Sequence, residues 1–370
     1  MFWFCEEVLH SKQAHSHRII TTGRDEKMRK WLTALITLLM VFTLAACGAD
    51  GINADPADVN NEQSVQQDDA QNSHAAGEEE GSEEAALEEE ADRTIYPLTV
   101  MDDSGTEMTI EQAPQKIVSI APSQTEILFA LGLGDRIVGV GDYDNYPEEA
   151  LEKPKVGNLQ SNPEAILAVE PDIVFAGVSL NGSVVQYLRD LGITVYATEP
   201  VTIDEVIDSI LKIGKITDAQ AEAQVVAEKM RADKQYVLDR VSDIPEDQKK
   251  KVYIEYAPLW TAGKGSFMDE LIVTSGGVNI ASELDQWAQI SPEAVIEANP
   301  DIIIYADITD YETGKPLVEL IKTRPGWGSI EALKNDAIVG VNEDILSRPG
   351  PRITDALLEV AAGIYPELFE

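Results

Sequence analysis

Cysteine and histidine are scarce in this 370-residue chain, and neither occurs after residue 74. The two cysteines are Cys5 and Cys47, and the four histidines are His10, His15, His17 and His74. Residues 75–370 therefore cannot form disulfides or carry out thiol chemistry. Without histidine, the same residues also cannot form a histidine-ligated metal or haem site or a Ser-His-Asp triad.

Basic residues are also few, with 28 Lys and Arg against 66 Asp and Glu and a formal net charge of −38. Nucleic acids are excluded as partners, because phosphate binding requires clustered positive charge. The sequence contains no Gly-x-Ser-x-Gly elbow, no Walker A loop and no complete Gly-x-Gly-x-x-Gly. We therefore predict that the chain is not an enzyme, with an extracytoplasmic carboxylate-dependent hydrolase as a remote alternative.

One apolar run, residues 31–46, follows two basic residues near the start of the chain. A basic start, an apolar run and a small-residue end form the layout of a secretory signal. The run is shorter than the roughly 20 residues of a membrane span. Its end, LAAC at 44–47, resembles a bacterial lipobox, so we predict a lipoprotein signal peptide over 28–46 and a lipid on Cys47. A plain signal peptide beside a stray cysteine is the alternative.

The segments on either side of this signal are not expected to fold. Residues 1–27 precede it, and we interpret them as a doubtful leader with Met28 as the expected start. Residues 47–93 contain the lipidated Cys47 and an acidic, low-complexity segment. Such a composition cannot bury enough apolar surface to fold. We predict a disordered tether, with an acidic binding tail as the alternative.

After the tether, short apolar segments typical of strands alternate with helical patterns. This alternation predicts parallel sheets covered by helices. It is interrupted over 202–246, where the spacing predicts linking helices, the longer one over 217–241 and beginning at a capping box, Thr217–Gln220. The sequence thus predicts an α/β fold of two similar Rossmann-like lobes, 94–201 and 247–370, joined by a single long backbone helix.

One phrase occurs twice, as NPEAILAVEPDIVF at 162–175 and SPEAVIEANPDIII at 291–304. In each copy a good N-cap residue and a proline precede a glutamate, which predicts the start of a helix. The two glutamates, Glu164 and Glu293, would lie in the first helical turn, where the helix dipole favours an anion. The repeat predicts equivalent places in two equivalent lobes.

The chain from residue 94 to residue 370 resembles the helical-backbone substrate-binding proteins of ABC importers. The resemblance is carried by the phrases IAPSQTEILFALG, YDNYP, WTAGKGSFMDEL, WAQISPEAV and DILSRPGPR, and it is strongest to the cobalamin-binding and ferric-siderophore-binding branches. It implies a cleft between the lobes that captures cobalamin or a related corrinoid, with a ferric siderophore as the alternative ligand and no resident cofactor or metal. It also implies a monomer, lipid-anchored to the outer face of the cell membrane, that serves a permease dimer with separate ATPase subunits.

The resemblance assigns five residues to the ligand cleft, the aromatic Tyr143, Trp260 and Trp287 and the polar Asp344 and Arg348. A flat macrocycle fringed with amides suits aromatic walls and a few placed polar groups. The alternatives are ordinary packing for the aromatic residues and a simple mutual pairing for Asp344 and Arg348.

The repeated glutamates also have a counterpart in the resemblance. Glu164 and Glu293 match surface glutamates that dock on arginines of the permease. A purely local role at the helix start is the alternative.

Two departures from the cobalamin-binding pattern bear on the ligand. Asn158 and Gly177 stand where that branch has further cleft tryptophans, which keeps another corrinoid or a ferric siderophore open. The basic candidates for binding an anionic iron complex are few, namely Arg348, Arg352 and Lys264. Their small number favours the corrinoid.

Overall fold

The computed structural model describes residues 93–158 and 162–369, which belong to one structural unit, Glu84–Glu370. The predicted signal peptide, the predicted lipid site at Cys47 and the acidic segment up to residue 92 lie outside the described residues. Within the described ranges, no helix combines the length and the apolar composition that a membrane crossing needs.

Strands and helices alternate along the described chain, and the predicted α/β class is confirmed. The strands are β1 (Leu98–Met101), β2 (Glu107–Ile110), β3 (Ile117–Ser119), β4 (Ile137–Val140), β5 (Ile173–Gly177), β6 (Val195–Thr198), β7 (Lys251–Glu255), β8 (Trp260–Ala262), β9 (Val278–Asn279), β10 (Trp287–Gln289), β11 (Ile302–Ala306) and β12 (Ile338–Val341). The helices are α1 (Pro122–Ala130), α2 (Pro163–Ala168), α3 (Val178–Asp190), α4 (Ile203–Thr217), α5 (Gln220–Val241), α6 (Phe267–Thr274), α7 (Pro292–Ala298), α8 (Leu317–Thr323), α9 (Glu331–Lys334), α10 (Glu343–Ser347) and α11 (Ile353–Ile364).

Each lobe contains a four-stranded parallel sheet, and the two sheets share one strand order. The order is β4-β3-β5-β6 in the N-terminal lobe and β9-β7-β11-β12 in the C-terminal lobe. The first strand of each lobe therefore lies between the second and the third. This shared order confirms the two similar lobes, while the domain limits at 201 and 247 remain predictions. The C-terminal lobe also contains an antiparallel pair of short strands, β8 and β10, which α6 and β9 separate in the sequence.

Both copies of the repeated phrase begin with a capped helix. The side chain of Asn162 accepts a hydrogen bond from the backbone N–H of Ala165 at 3.2 Å, at the start of α2. Ser291 accepts the equivalent bond from Ala294 at 3.1 Å, at the start of α7. Each cap satisfies one of the backbone donors that a helix start leaves without an intrahelical partner.

The Pro-Asp of each copy connects the end of the phrase to the neighbouring strand. Oδ2 of Asp172 accepts a hydrogen bond from the backbone N–H of Lys116 at 2.8 Å, just before β3. Oδ2 of Asp301 accepts the equivalent bond from Lys251 at 2.8 Å, at the start of β7. Backbone donors at the end of a sheet need such partners, so the repetition reflects two sheets that begin in the same way.

The linking helices α4 and α5 meet at a sharp turn, and the predicted start of the longer helix is wrong by three residues. Asp218 has a left-handed backbone (φ 57°, ψ 48°) and ends α4, so α5 begins at Gln220 rather than at 217. The hydroxyl of Thr217 donates to the carbonyl of Ile213 at 2.8 Å and therefore caps nothing. The α5 helix of 22 residues is about 33 Å long.

The capping box of this region lies at the other end of α4. The hydroxyl of Thr202 accepts from the backbone N–H of Glu205 at 3.1 Å, and the Glu205 carboxylate accepts from the N–H of Thr202 at 3.1 Å. The predicted box at Thr217–Gln220 is thus replaced by one fifteen positions earlier (217 − 202 = 15). The same residue types three positions apart predict a cap only where the backbone between them is helical.

The α4–α5 pair is fastened to both lobes. At its turn, Nη1 of Arg136 in the N-terminal lobe donates to the carbonyl of Thr217 at 2.8 Å. At its other end, the carboxylate of Glu270 on α6 accepts from the backbone N–H of Ile203 at 2.6 Å and from Nζ of Lys234 at 3.3 Å. The two helices therefore contact each lobe through polar bonds as well as through packing.

A continuous apolar core extends from the N-terminal lobe along α5 into the C-terminal lobe. Ile127 of α1, Met230 of α5 and Leu357 of α11 belong to it, and all three are fully buried. Both α1 and α11 pack on α5. Each such side chain contributes about 1.5–3 kcal/mol when it is buried, so this core couples the stability of the two lobes. A second, smaller core that includes Val118 and Val174 belongs to the N-terminal lobe.

Candidate functional site

Two tryptophans lie on one face of the β8–β10 hairpin. The antiparallel register places Trp260 opposite Gln289 and Trp287 opposite Ala262. Residues directly opposite each other share a face, and so do residues two apart in a strand. Both indoles therefore lie on the same face, and both are partly exposed. We call the antiparallel β8–β10 pair, with Trp260 and Trp287, the aromatic hairpin, although α6 and β9 separate its two strands in the sequence.

Each of these tryptophans follows a residue with a left-handed backbone, Leu259 at φ 61° and Gln286 at φ 52°. This conformation costs a non-glycine residue on the order of 1 kcal/mol or more and is concentrated at functional sites. At the first position it is held by Glu255 at the end of β7, whose Oε1 accepts from the N–H of Leu259 at 3.1 Å. The bond fixes the direction in which Trp260 leaves the turn.

The carboxylate of Glu255 is itself buried and fully partnered. It accepts from the two terminal nitrogens of Arg324 at 2.8 and 2.7 Å and from the hydroxyl of Tyr253 at 2.9 Å. Burial, followed by the nearby carboxylate, raises the pKa of Tyr253 well above its usual value, so that its hydroxyl remains a donor. A two-point guanidinium contact compensates for the burial of the charge. Because Glu255 is held in this way, the turn that leads into the aromatic hairpin is held in place too.

Ring contacts hold the indole of Trp287. Its ring centroid lies 4.8 Å from that of Tyr256 and 5.4 Å from that of Phe267, at interplanar angles of 72° and 69°. These edge-to-face contacts are the favoured geometry for aromatic pairs. The indole therefore has a defined orientation before any ligand arrives.

The YDNYP segment, 143–147, follows β4 in the N-terminal lobe and contains the partly buried Tyr143. The buried Asp144 fastens the segment, since its Oδ2 lies 2.5 Å from the hydroxyl of Thr125 and accepts from the N–H of Gly141 at 3.0 Å. These bonds fasten the segment to α1 and to the backbone just after β4. The neighbouring side chains at 143 and 145 are positioned as a result.

Burial raises the pKa of Asp144 from its ordinary 3.8 to about 6. The hydrogen bonds from Thr125 and Gly141 and the charges of Lys155 and Arg348 oppose this rise without cancelling it. Desolvation dominates because the carboxyl has almost no contact with water. The group consequently titrates in the weakly acidic range.

A buried carboxylate joins the two lobes. Glu126 on α1 accepts from Nε and Nη2 of Arg352 at 2.9 and 2.7 Å, and from Nη1 of Arg348 at 3.0 Å. Its side chain is 2% exposed. Both arginines follow α10 in the C-terminal lobe. Such charge-assisted bonds are stronger than neutral ones, so this contact resists separation of the lobes.

Other side chains extend this contact on both sides. The amide of Asn145 accepts from Arg348 at 2.7 Å and donates to Asp344 at 3.1 Å, while Arg348 pairs with Asp344 at 2.6 Å. The ring of Tyr146 lies 3.6 Å from the guanidinium of Arg352, a cation–π contact. We call the whole set the interlobe cluster; its members are Glu126, Asn145, Tyr146, Asp344, Arg348 and Arg352.

The predicted cleft residues fall into two groups. Asp344 and Arg348 pair with each other, as the alternative interpretation held, and they also bind the opposite lobe through Asn145. Trp260 and Trp287 come together on the aromatic hairpin. The roles of these residues and of Tyr143 as ligand contacts remain predictions.

Sequence reasoning missed the buried carboxylates of Glu126 and Asp144. Glu126 precedes Ile127 and Leu128, which are fully buried, on a helix with almost no polar face. A carboxylate among core positions is rarely left unpaired. That pattern was the available signal, although it could not identify arginines more than two hundred residues away as the partners.

The repeated glutamates are both exposed. Glu164 lies in the first turn of α2 and Glu293 in the first turn of α7. Their positions fit both docking and a local helix role, so docking remains a prediction.

No metal site is formed by the described residues. Within 93–158 and 162–369, no group of three or more His, Cys, Asp or Glu side chains is arranged to hold a metal ion. The two carboxylates of the interlobe cluster are instead neutralised by guanidinium groups.

The sequence profile of the periplasmic binding protein family matches residues 117–345. An uncharacterized ABC transporter substrate-binding lipoprotein of Bacillus subtilis is 34% identical, over 75% of this chain and 88% of its own length.

Two solved structures share both sequence and fold with the described part. A possible iron-binding protein of Staphylococcus epidermidis is 32% identical, with a TM-score of 0.58 over 69% of this chain and 100% of its own. The periplasmic vitamin B12 binding protein of Vibrio cholerae is 30% identical, with a TM-score of 0.59 over 68% of this chain and 97% of its own.

The pKa of Asp144 predicts a pH dependence of stability. Because it is raised in the folded state, the carboxyl stabilises the fold fully below about pH 4, and this contribution is lost as the pH rises through about 6. The free energy of unfolding of the native chain minus that of Asp144→Asn should therefore fall by on the order of 2 kcal/mol between pH 4 and pH 7. Urea unfolding of both proteins across that range measures it, and a constant difference would contradict it.

Proposed function

This chain belongs to the periplasmic binding protein family, and on that premise we propose that it captures cobalamin or a related corrinoid outside the cell membrane and delivers it to the permease of an ABC importer. The aromatic hairpin is the observation that carries the choice of ligand. The similarity to the vitamin B12 binding protein of Vibrio cholerae, over 97% of that protein, supports the same choice.

The geometry suits a large flat ligand with polar edges. Trp260 and Trp287 offer aromatic surface on one face of the hairpin, next to the end of β7. The polar Asp344 and Arg348 follow the end of β12, two strands away in the same sheet, a separation of roughly 10 Å. Ligands of parallel sheets bind at the carboxyl ends of the strands. A macrocycle over the indoles would bring its polar edge to the interlobe cluster, with Tyr143 as a facing ring from the other lobe.

A ferric siderophore is the second candidate ligand. It is favoured by the possible iron-binding protein of Staphylococcus epidermidis, which is as similar in sequence and fold as the vitamin B12 binding protein. Anionic iron complexes need free positive charge at the site. Here the guanidiniums of Arg348 and Arg352 already bind carboxylates, which supports the corrinoid.

The proposed partners follow from the role in import. The chain would bind its ligand without transforming it, as a monomer, while separate subunits hydrolyse ATP. Exposed Glu164 and Glu293, one in each lobe, are proposed to dock on cationic residues of a two-fold permease. Exposed ion pairs contribute only about 0–1 kcal/mol each, so the pair would provide orientation more than affinity.

We also propose a lipid anchor. The LAAC segment at 44–47 follows an apolar signal-like run, and the relative in Bacillus subtilis bears the name of a lipoprotein. Cys47 would carry the lipid on the outer face of the cell membrane, with the acidic segment to residue 93 as the tether.

Intrinsic tryptophan fluorescence tests the ligand. Cyanocobalamin or cobinamide should quench the purified full-length chain with a Kd in the micromolar range or below, and Trp260→Ala should weaken binding about tenfold, because a stacking surface worth on the order of 1 kcal/mol is lost. Tyr187→Ala, which removes an exposed ring on α3 (48% exposed), is the matched control and should bind normally. Quenching by ferric siderophores with none by corrinoids would reject the corrinoid.

Docking is tested by removing both repeated glutamates. The double variant Glu164→Ala, Glu293→Ala should keep its ligand affinity but abolish uptake of radiolabelled corrinoid in cells that depend on the importer. The control Asp190→Ala, Glu297→Ala removes the same charge from exposed positions on α3 and α7 and should transport normally. Normal uptake by the first double variant would exclude this docking role.

Loss of the predicted lipid site should release the protein. Cys47→Ser is expected to move the chain from the membrane fraction to the soluble fraction, with unchanged affinity for the ligand. Fractionation followed by immunoblotting measures the distribution. Retention of the variant in the membrane would show that another segment anchors the chain.

A further inference from the structure

The charges of the interlobe cluster cancel. Arg348 and Arg352 each carry one positive charge, and Glu126 and Asp344 each carry one negative charge, with all four connected by ion pairs of 3.0 Å or less. The two arginines are, with Lys264, the three basic candidates for attracting an anionic ligand. The cluster instead presents no net charge to the space between the lobes.

The cluster also engages several donors of each arginine. Arg352 gives Nε and Nη2 to Glu126, and its face is covered by Tyr146. Arg348 gives Nη1 to Glu126 and Asn145 and Nη2 to Asp344. An anionic ligand that took the donors bonded to Glu126 would have to displace a carboxylate that is 2% exposed and held at three points. Ion pairs shielded from water in this way are much stronger than pairs at the surface.

The cluster lies where it can influence a ligand on the aromatic hairpin. Glu126 is on the helix that follows β3, and Asn145 is in the loop that follows β4. Their partners follow β12 in the other lobe. All of these positions are at the carboxyl ends of parallel strands, which form one edge of each sheet. The cluster therefore connects the two edges that the proposed ligand would lie between.

We infer that Glu126 is a specificity-determining residue that selects ligands by charge. By neutralising Arg348 and Arg352, its carboxylate favours ligands without net charge and disfavours polyanionic iron complexes. The inference rests on the proposed function in one respect, namely that the ligand binds beside the interlobe cluster. It goes further in assigning the discrimination to a residue that contacts the arginines.

Removal of the Glu126 charge should change the preference for ligand charge. Glu126→Gln keeps the shape of the side chain and leaves the cluster with a net charge of +1. We propose to titrate the purified full-length chain with two iron(III) complexes, a neutral trihydroxamate and a tris-catecholate of charge −3, and with cyanocobalamin, which has no net charge. The ratio of the trihydroxamate Kd to the tris-catecholate Kd should rise by about tenfold in the variant, and the rise should shrink at high salt.

A second variant and a control make the test independent of the stability of Glu126→Gln. Asp344→Asn removes the other negative charge from a partly exposed position and should shift the ratio in the same direction. Glu170→Gln removes the same charge from a surface pair with Lys116, 3.3 Å apart, and should leave the ratio unchanged. An unchanged ratio in both cluster variants would overturn the inference. Failure of the native chain to bind cyanocobalamin would instead overturn the proposed ligand, because the two iron complexes test charge selection without it.

Discussion

The buried carboxylate of Glu126 connects the N-terminal lobe directly to the C-terminal lobe. It is buried, it comes from the N-terminal lobe, and it binds two guanidinium groups of the C-terminal lobe. Removal of one partner from such a buried pair typically costs about 3–5 kcal/mol, because a charge is left without compensation. The YDNYP loop, the segment after β12 and the first helix of the N-terminal lobe all have their relative positions set by this contact. The shape of the space between the lobes depends on it.

The two lobes repeat one topology but do not contribute equally to the site. Their sheets have the same strand order, and the repeated phrase caps a helix and fastens a strand in the same way in each. The strands of the aromatic hairpin lie on either side of β9 in the sequence, β8 before it and β10 after it, and the N-terminal lobe has no such strand pair next to β4 in its described part. In the proposed site the C-terminal lobe would therefore provide both indoles, while the N-terminal lobe would provide a phenol ring and the carboxylate that sets the charge. Two similar lobes would thus form an asymmetric binding surface.

The sequence predicts features that depend on neighbours along the chain. The N-caps at Asn162 and Ser291, the α/β alternation and the similarity of the lobes all rest on local pattern and repetition. Features that depend on distant partners were missed. Nothing near Glu126 indicates that it binds Arg348 and Arg352, and the left-handed turn at Asp218 has no glycine to mark it. The family resemblance led to Asp344 and Arg348 as polar residues of the cleft, but it did not reveal that their charges are already satisfied.

The fastening of the α4–α5 pair has a mechanical consequence. Arg136 binds the turn between these helices to one lobe, and Glu270 binds their opposite end to the other. Glu126 and Glu270 occupy matching places, each six positions before a left-handed glycine, Gly132 or Gly276, that follows its helix. Glu126 therefore connects the two lobes directly, whereas Glu270 binds the α4–α5 pair that lies between them. Because both ends of the α4–α5 pair are bonded to a lobe, a relative movement of the lobes has to bend or twist two packed helices or break these bonds.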